Sequence, residues 1–204
     1  MRKKKQAKKK VTASKTVGQI AGTSLRAEDK AGDRLVEYLN KHMRSHRAEA
    51  RASLVYSIPP AVLASLGSIN QKAWEATRGH GAYQVDILIC KKSGPAVVAI
   101  EIKLGKFSTH DVLTYSAKAL EHKRYSPHLR YGFVVPGRKR LDNKFFQHSQ
   151  GFDFALAFLE NPVGRTEFVR LVKRQIKAAN ELMRIANGQR TSPISKFETI
   201  VRIP

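Results

Sequence analysis

Three charged residues interrupt two apolar segments in the middle of the chain. Asp86 lies within YQVDILIC (83–90), and Glu101 and Lys103 lie within PAVVAIEIKL (95–104). The apolar, β-branched composition of both segments predicts buried strands. Burying a charge is costly unless the charge is paired or binds a metal. These three residues are therefore the first candidates for chemistry.

The spacing predicts where the three side chains point. Glu101 and Lys103 are two residues apart on one strand, so both side chains face the same side of the sheet. The turn KKSG (91–94) joins the two strands, so Asp86 can lie close to Glu101. Adjacent carboxylates repel and raise each other's pKa, and a divalent cation relieves that repulsion. Magnesium often binds one or two carboxylates together with waters and substrate phosphate.

This geometry predicts a metal-dependent hydrolysis. Asp86 and Glu101 would hold Mg²⁺ or Mn²⁺, with the backbone carbonyl of Ile102 as a further ligand, and the metal would acidify a water. Lys103 would stabilise the negative charge that develops at a phosphate. The alternative is a structural ion pair of Lys103 with Glu101 or Asp86, which would contribute little to stability.

The charge of the chain predicts a polyanionic partner. The formal net charge is +22, and removing the seven basic residues among the first ten leaves +15. Nucleic acid is expected ahead of an anionic membrane surface. No apolar run approaches the roughly 18–20 residues that span a bilayer, so no membrane segment is expected. A cytoplasmic, nucleoid-associated location is predicted, and the single cysteine, Cys90, agrees with a reducing compartment.

The remaining pattern predicts the elements that position these residues. Apolar periodicity predicts helices over 25–47, over 109–123 and over 162–187, and strands over 51–58, 83–90, 95–104, 129–136 and, less clearly, 152–159. Residues 61–66 and 69–77 are predicted as short helical or irregular pieces. In the second helix Leu113, Ala117 and Leu120 are expected to point inward. The result is an α/β fold with a mixed central β-sheet flanked by helices (αβββαβ order).

The chain divides into four predicted parts. Residues 1–22 contain no acid and are predicted as a disordered basic arm. Residues 23–160 form the predicted core. Residues 161–188 are predicted as a basic amphipathic helix packed on that core, and residues 189–204 as an extended tail.

At Val85-Asp86, followed by fourteen residues and then Glu101-Ile102-Lys103, the chain resembles the PD-(D/E)xK nuclease superfamily. Val85 stands where that superfamily usually has proline. The resemblance covers residues 25–136 and implies a restriction-endonuclease-like core and a divalent-metal-dependent DNA endonuclease, either of restriction type or from repair or a mobile element. In the superfamily the first helix often adds an acid near the metal. Glu37 is the residue expected here, with Asp33 as the alternative.

Basic residues outside the strands predict the contacts with DNA. Arg138, Lys139, Arg140 and Lys144 form a basic loop after the strand 129–136, and Lys118 and His110 lie on the helix that follows Lys103. They are expected to contact the phosphate backbone, although ordinary solvated charge would give the same pattern. A homodimer would allow cuts in both strands. The competing function is a non-catalytic basic nucleic-acid-binding protein on the same fold.

Overall fold

The computed structural model describes residues 12–57 and 81–189, with side chains from residue 27 onward. The elements in this part of the chain are, in order, α1 (Thr12–His42), β1 (His46–Val55), β2 (Ala82–Lys91), β3 (Ala96–Ile102), α2 (Thr109–Tyr125), β4 (Arg130–Pro136), α3 (Asn143–His148), β5 (Phe154–Phe158) and α4 (Pro162–Ala186). The pieces predicted at 61–66 and 69–77 lie outside the described residues, as do residues 1–11 of the predicted arm and 190–204 of the predicted tail.

The five strands form one mixed sheet in the order β1-β2-β3-β4-β5. The first three strands are antiparallel neighbours. β4 lies parallel to β3, and β5 lies parallel to β4. Parallel neighbours need a crossover connection, and α2 and α3 lie in the two connections. The predicted α/β class, with a mixed sheet flanked by helices, is confirmed.

Apolar side chains cover both faces of the sheet. On one face α1 and α4 pack against the strands through residues such as Leu39, Ile100 and Val172. On the other face the buried residues include Val112 of α2 and Phe145 of α3. Because both faces are covered, the central strands are almost continuously apolar. That is why the acids in β2 and β3 are conspicuous in the sequence.

The first helix differs from its prediction at both ends. It begins at Thr12, within the segment predicted to be a disordered arm (1–22), and ends at His42 instead of near residue 47. The chain then enters β1, where His46 already pairs with Lys91 of β2. β1 is an edge strand with charged side chains at Arg47, Glu49 and Arg51, and such a strand lacks the apolar pattern that marks a central one.

The second helix begins at the predicted place. The Ser108 hydroxyl accepts a hydrogen bond from the Asp111 backbone N–H at 3.1 Å, and the Asp111 carboxylate accepts one from the Ser108 backbone N–H at 2.7 Å. This reciprocal arrangement is a capping box, which satisfies two N–H groups at the start of a helix. Asp111 is thereby fixed at the N-terminal end of α2.

The inward face predicted for α2 is wrong. Leu113 and Leu120 are 47% and 45% exposed, and Ala117 is exposed as well. The buried residues are instead Val112, Ser116, Ala119 and His122. The Ser116 hydroxyl accepts from Gly151 N at 2.8 Å, and His122 Nδ1 donates to the Val55 carbonyl at 3.1 Å. Partners from distant segments allow these polar groups to be buried.

The last helix, α4, buries Val169, Val172, Ile176 and Ala179 on the sheet. Pro162 stands in its first turn, and the Asn161 side chain accepts from Gly164 N at 2.8 Å as an N-cap. None of the helices within residues 12–57 and 81–189 has the length and apolarity that crossing a membrane requires.

Candidate active site

The register of β2 and β3 brings Asp86 and Glu101 together. Ile87 pairs with Ile100 in these antiparallel strands. Asp86, which precedes Ile87, therefore lies opposite Glu101, which follows Ile100. Asp86 Oδ2 accepts a hydrogen bond from Ile102 N at 2.6 Å. Besides burial, the charge of Asp86 raises the pKa of Glu101, as expected for neighbouring carboxylates. The pairing of acids predicted from the sequence is therefore present in the structure.

Glu101 is only 1% exposed and depends on two polar neighbours. Its Oε1 accepts from Lys118 Nζ at 3.0 Å and from the Tyr131 hydroxyl at 2.8 Å. Lys118 also donates to the Gln84 carbonyl at 3.0 Å, which fixes the ammonium group in place. Burial raises the pKa of Glu101 to about 7, although the charge of Lys118 opposes this rise. Glu101 therefore holds its proton much more tightly than an exposed glutamate.

Lys103 leaves the end of β3 between two acids from different helices. Its Nζ lies 3.5 Å from Glu28 Oε1 on α1 and 3.5 Å from Asp111 Oδ1 on α2. It also lies 5.4 Å from the centroid of the Tyr115 ring. Burial opposes the charge of Lys103, but Tyr115 and the two carboxylates outweigh this effect and raise its pKa. The ion pair predicted as the structural alternative, of Lys103 with Glu101 or Asp86, is absent among the described residues.

The acid that α1 supplies is Glu28, not Glu37. Besides its contact with Lys103, Glu28 Oε1 accepts from Leu104 N at 3.4 Å. Glu37 is exposed and forms an ion pair with Lys41 at 2.7 Å. The two glutamates are nine residues apart, which is about 2.5 helical turns, so they project from opposite sides of α1.

Asp33, the alternative acid on α1, binds Arg51 at 2.8 Å. Arg51 lies on β1 between Ala50 and Ala52. These two alanines pair on β2 with Ile87 and Val85, the residues on either side of Asp86. Arg51, with a φ of 53°, is the one non-glycine residue with positive φ in the part of the chain that the structure describes. Asp33 and Asp29 raise the pKa of Arg51, and the charge of Asp86 contributes as well. Asp33 thus contacts Arg51, and Arg51 in turn lies close enough to Asp86 to be affected by its charge.

The central pair of acids has oxygens left for a ligand. Asp86 Oδ2 is occupied by Ile102 N, and Glu101 Oε1 by Lys118 and Tyr131. The other two oxygens, Asp86 Oδ1 and Glu101 Oε2, meet no hydrogen-bond donor among the described residues. Lys103 N donates to Val134 O on β4 at 2.9 Å. Backbone groups alternate in direction along a strand, so the Ile102 carbonyl faces β2 and Asp86.

The oxygens of this pair of acids and the Ile102 carbonyl fit the hard cation that the sequence predicts. Within residues 12–57 and 81–189, no three His, Cys, Asp or Glu side chains converge closely enough to hold a metal by themselves. Magnesium needs no such complete set, because it often keeps several waters and binds one or two carboxylates plus phosphate oxygens. Two carboxylates and a carbonyl on one strand edge fit a hard cation that substrate and water coordinate in part.

The acidic site, as we call Glu28, Asp86, Glu101 and Asp111 with Lys103 and Lys118, carries more negative than positive groups. Burial raises the pKa of Asp86, against the Ile102 N–H and the two lysines. Burial likewise raises the pKa of Glu28, against the charge of Lys103. Hydrogen bonds from Ser108 outweigh burial and lower the pKa of Asp111. An additional cation would relieve the repulsion that the buried acids share.

The residues predicted to contact DNA occupy different environments. Lys118 is directed into the acidic site, where it binds Glu101, and not toward solvent. His110 is exposed on the first turn of α2, with Nε2 3.4 Å from Thr114 Oγ1, and does not reach the acids. The side chain from the start of this helix that contacts the site is Asp111, which lies 3.5 Å from Lys103 Nζ.

The basic loop after β4 is partly neutralised from within. Arg138 binds both oxygens of Asp142, at 3.0 Å each. Lys144 lies 3.9 Å from Asp142 and 5.4 Å from the centroid of the Phe107 ring. Lys139 and Arg140 are exposed and form no ion pair with any described residue. These last two residues are the free cations of the loop.

Three residues in or next to the acidic site are not singled out by the sequence: Glu28, Asp111 and Tyr131. The predicted helix starts at residue 25, just before Glu28, whereas α1 begins at Thr12. Asp111 was hidden in an ordinary capping position. Tyr131 is an apparent core residue of β4, but a buried tyrosine hydroxyl usually needs a partner, and that requirement was the available signal.

Comparisons with protein-family models, with curated proteins and with solved structures found no match to this chain. The resemblance to the PD-(D/E)xK superfamily thus rests on the sequence motif alone.

Proposed function

We propose that the chain is a divalent-metal-dependent nuclease that hydrolyses phosphodiester bonds in DNA, built on a restriction-endonuclease-like core. The observation that supports it best is the meeting of Asp86 and Glu101 on adjacent buried strands, with Lys103 beside them. Each of these acids is costly to bury, and together they offer free oxygens to one point. A binding site for a hard cation explains why both are there.

The residues of the acidic site have distinct roles in this proposal. Asp86 and Glu101 would hold the cation, with the Ile102 carbonyl on the same edge, and the bound cation would supply Lewis acidity for the hydrolysis. Lys103, kept protonated by its acidic neighbours, stabilises negative charge on the phosphate during hydrolysis. Glu28 positions the ammonium group of Lys103. Lys118 and Tyr131 hold one oxygen of Glu101, which leaves the other turned toward the cation.

The choice of DNA as the substrate rests on charge and on the resemblance. The net charge of +22 favours a polyanion, and the superfamily that the motif resembles acts mainly on DNA. A cytoplasmic, nucleoid-associated location and assembly into a homodimer belong to the same proposal. A homodimer would place two such sites on the two strands of a duplex.

The proposal is tested by plasmid cleavage with matched variants on one helix. Glu28→Gln and Glu37→Gln make the same chemical change on α1, but only Glu28 contacts Lys103. We expect Mg²⁺-dependent cleavage of supercoiled plasmid by the natural protein. Lys103→Met should reduce it by at least about 100-fold, as removal of one charge-stabilising donor does. Glu28→Gln should reduce it less, and Glu37→Gln should leave it unchanged. Metal-dependent cleavage that persists in both Lys103→Met and Glu101→Gln would refute the site.

A second candidate is a nucleic-acid-binding protein without catalysis. The ion pairs of the acidic site favour it, because Lys118 already binds Glu101, and Lys103 lies between Glu28 and Asp111. Such pairs can be purely structural. This candidate predicts salt-sensitive DNA binding and intact plasmid with Mg²⁺, Mn²⁺ or any other divalent cation.

A further inference from the structure

A pocket of about 330 Å³ opens where α1 turns into β1, next to α4. Its polar wall consists of His42, Arg44, Ser45, His46 and Lys173, and its floor of two apolar side chains. The turn between β2 and β3 lies beside it, since Lys92 N donates to the Ser45 carbonyl at 3.2 Å. We call this feature the corner pocket.

The corner pocket is cationic without a compensating acid. No aspartate or glutamate of the described part of the chain lines it. Arg44 and Lys173 are exposed and form no ion pair with any described residue. His42 Nδ1 donates to the Tyr38 carbonyl at 2.7 Å, so the neutral ring carries no proton on Nε2. Elsewhere the cations of this protein often have acidic neighbours, as Lys103, Arg51 and Arg138 do.

His46 supplies an independent sign of a missing ligand. Its Nε2 is buried and has no hydrogen-bond partner. The Ser45 hydroxyl lies 2.9 Å from His46 Nδ1. When that hydroxyl donates to Nδ1, the ring proton is on Nε2 and needs an acceptor. A buried donor without an acceptor costs free energy, and an oxyanion in the pocket would remove that cost.

We propose that the corner pocket binds a phosphate group. Arg44 and Lys173 supply the charge, and His46 Nε2 supplies a hydrogen-bond donor whose tautomer Ser45 fixes. The phosphate comes from a nucleic-acid backbone or from a free phosphate compound. The oxygens of either one match the same donors.

The corner pocket is distinct from the acidic site. His46 pairs with Lys91, which is five residues along β2 from Asp86. At about 3.4 Å per residue, this places the pocket roughly 17 Å from the acids. Phosphate binding there requires neither the cation nor cleavage, so it stands even if the proposed function fails. If the partner is DNA, the pocket gives the backbone a second, remote point of attachment.

The test compares two variants that lose the same charge. Arg44→Ala/Lys173→Ala removes the cations of the pocket. Arg124→Ala/Arg184→Ala removes two exposed arginines on α2 and α4, each of which pairs with a glutamate on its own helix. All measurements use the full chain with a chelator present, so that cleavage plays no part. Inorganic phosphate is titrated while the imidazole NMR signals of His46 are followed, and binding of a short DNA duplex is measured at several salt concentrations.

We expect phosphate to shift the His46 signals in the natural protein and in the control, but not in the pocket variant. If DNA is the source, the pocket variant also loses about one to two units of the salt-dependence slope relative to the control, since each phosphate contact contributes about 0.9. Shifts without that loss assign the pocket to a free phosphate compound. The proposal is overturned if His46 does not respond to phosphate and the two variants bind DNA alike.

Discussion

Glu101 lies between Ile100 and Ile102 in a buried strand, so its charge depends on a few neighbours. Lys118 and Tyr131 donate to one of its oxygens, and the charge of Asp86 acts on it from the neighbouring strand. Two of these neighbours favour the ionised form, whereas burial and Asp86 oppose it. A cation would have to displace the proton that this balance retains near neutral pH, so metal binding and deprotonation are coupled here.

The raised pKa of Glu101 predicts a specific dependence of stability on pH in the metal-free protein. Below about pH 4.5 the carboxyl group is protonated in both folded and unfolded chains. As the pH rises toward 7, the unfolded chain releases this proton first, so the folded state loses stability over that window. Glutamine at this position cannot titrate. Between pH 5 and pH 8, Glu101→Gln should therefore gain about 2 kcal/mol relative to the natural protein.

Urea unfolding of both proteins at the two pH values, with a chelator present, measures this difference. Other titrating groups cancel because they are common to both proteins. Parallel pH profiles for the two proteins would show that Glu101 titrates as an ordinary glutamate. That result would contradict its burial against Lys118 and Tyr131.

Arg51 combines a strained backbone with two ion pairs to α1. Its φ of 53° is in the left-handed region, which costs a residue with a Cβ about 1–2 kcal/mol. Arg51→Ala and Arg51→Gly lose the same contacts with Asp29 and Asp33, but only glycine removes the strain. The glycine variant should therefore be more stable than the alanine variant by about 1 kcal/mol. Chemical denaturation at neutral pH measures this, and equal stabilities would mean that the backbone of Arg51 is relaxed in solution.

In α2 the residues that are buried differ from those that the apolar pattern of the sequence predicts. Val112 is fully buried in contact with the cluster around Phe133, while Leu113 is 47% exposed. Val112→Ala should cost about 1–3 kcal/mol, through lost burial and the cavity that remains. Leu113→Ala should change stability by less than about 0.5 kcal/mol. Thermal or urea unfolding of the two variants decides this, and a larger loss in Leu113→Ala would restore the face that the sequence favoured.

The central strands could be predicted from the sequence because they are buried on both faces. The segments that contain Val85 and Val97 are nearly continuous apolar runs, and such runs are typical of strands buried on both faces. The edge strand β1 could not be predicted as well, because the charged residues Arg47 and Arg51 interrupt it. The inward face of α2 could not be predicted at all. Ser116 and His122 can be buried because they hydrogen-bond to Gly151 and Val55, which are far away in the sequence.

The candidate site could be predicted where it depends on strand geometry and not where it depends on helix position. Asp86, Glu101 and Lys103 follow from alternation along two strands joined by a turn. The acid of α1 depends on where that helix starts and how it crosses the sheet. Glu37, the acid that the resemblance suggested, is half a turn out of phase with Glu28, the acid that contacts Lys103.

For the whole molecule, the sign of the charge varies strongly from place to place. The net charge is +22, yet the acidic site gathers four carboxylates around two lysines. A polyanion is attracted by the protein as a whole, whereas the acidic site itself favours a cation. A metal held there would thus meet a phosphate that the surrounding surface has already attracted. If the proposed function holds, this charge distribution would direct the corner pocket, the basic loop and the acidic site to the same polyanionic partner.

The basic loop after β4 gives the last prediction, because only some of its cations are free. Lys139 and Arg140 are exposed without an acidic partner among the described residues, while Arg138 binds Asp142 and lies 3.4 Å from the Gly105 carbonyl. If both free residues contact phosphates, Lys139→Ala/Arg140→Ala should lower the slope of log affinity against log salt by about 2. Arg138→Ala should act mainly by loosening the loop, and so weaken binding with less change in slope. Duplex binding between 50 and 200 mM salt (about the range over which such contacts are resolved) separates these effects. A double variant whose slope equals that of Arg124→Ala/Arg184→Ala would place the phosphate contacts elsewhere on the surface.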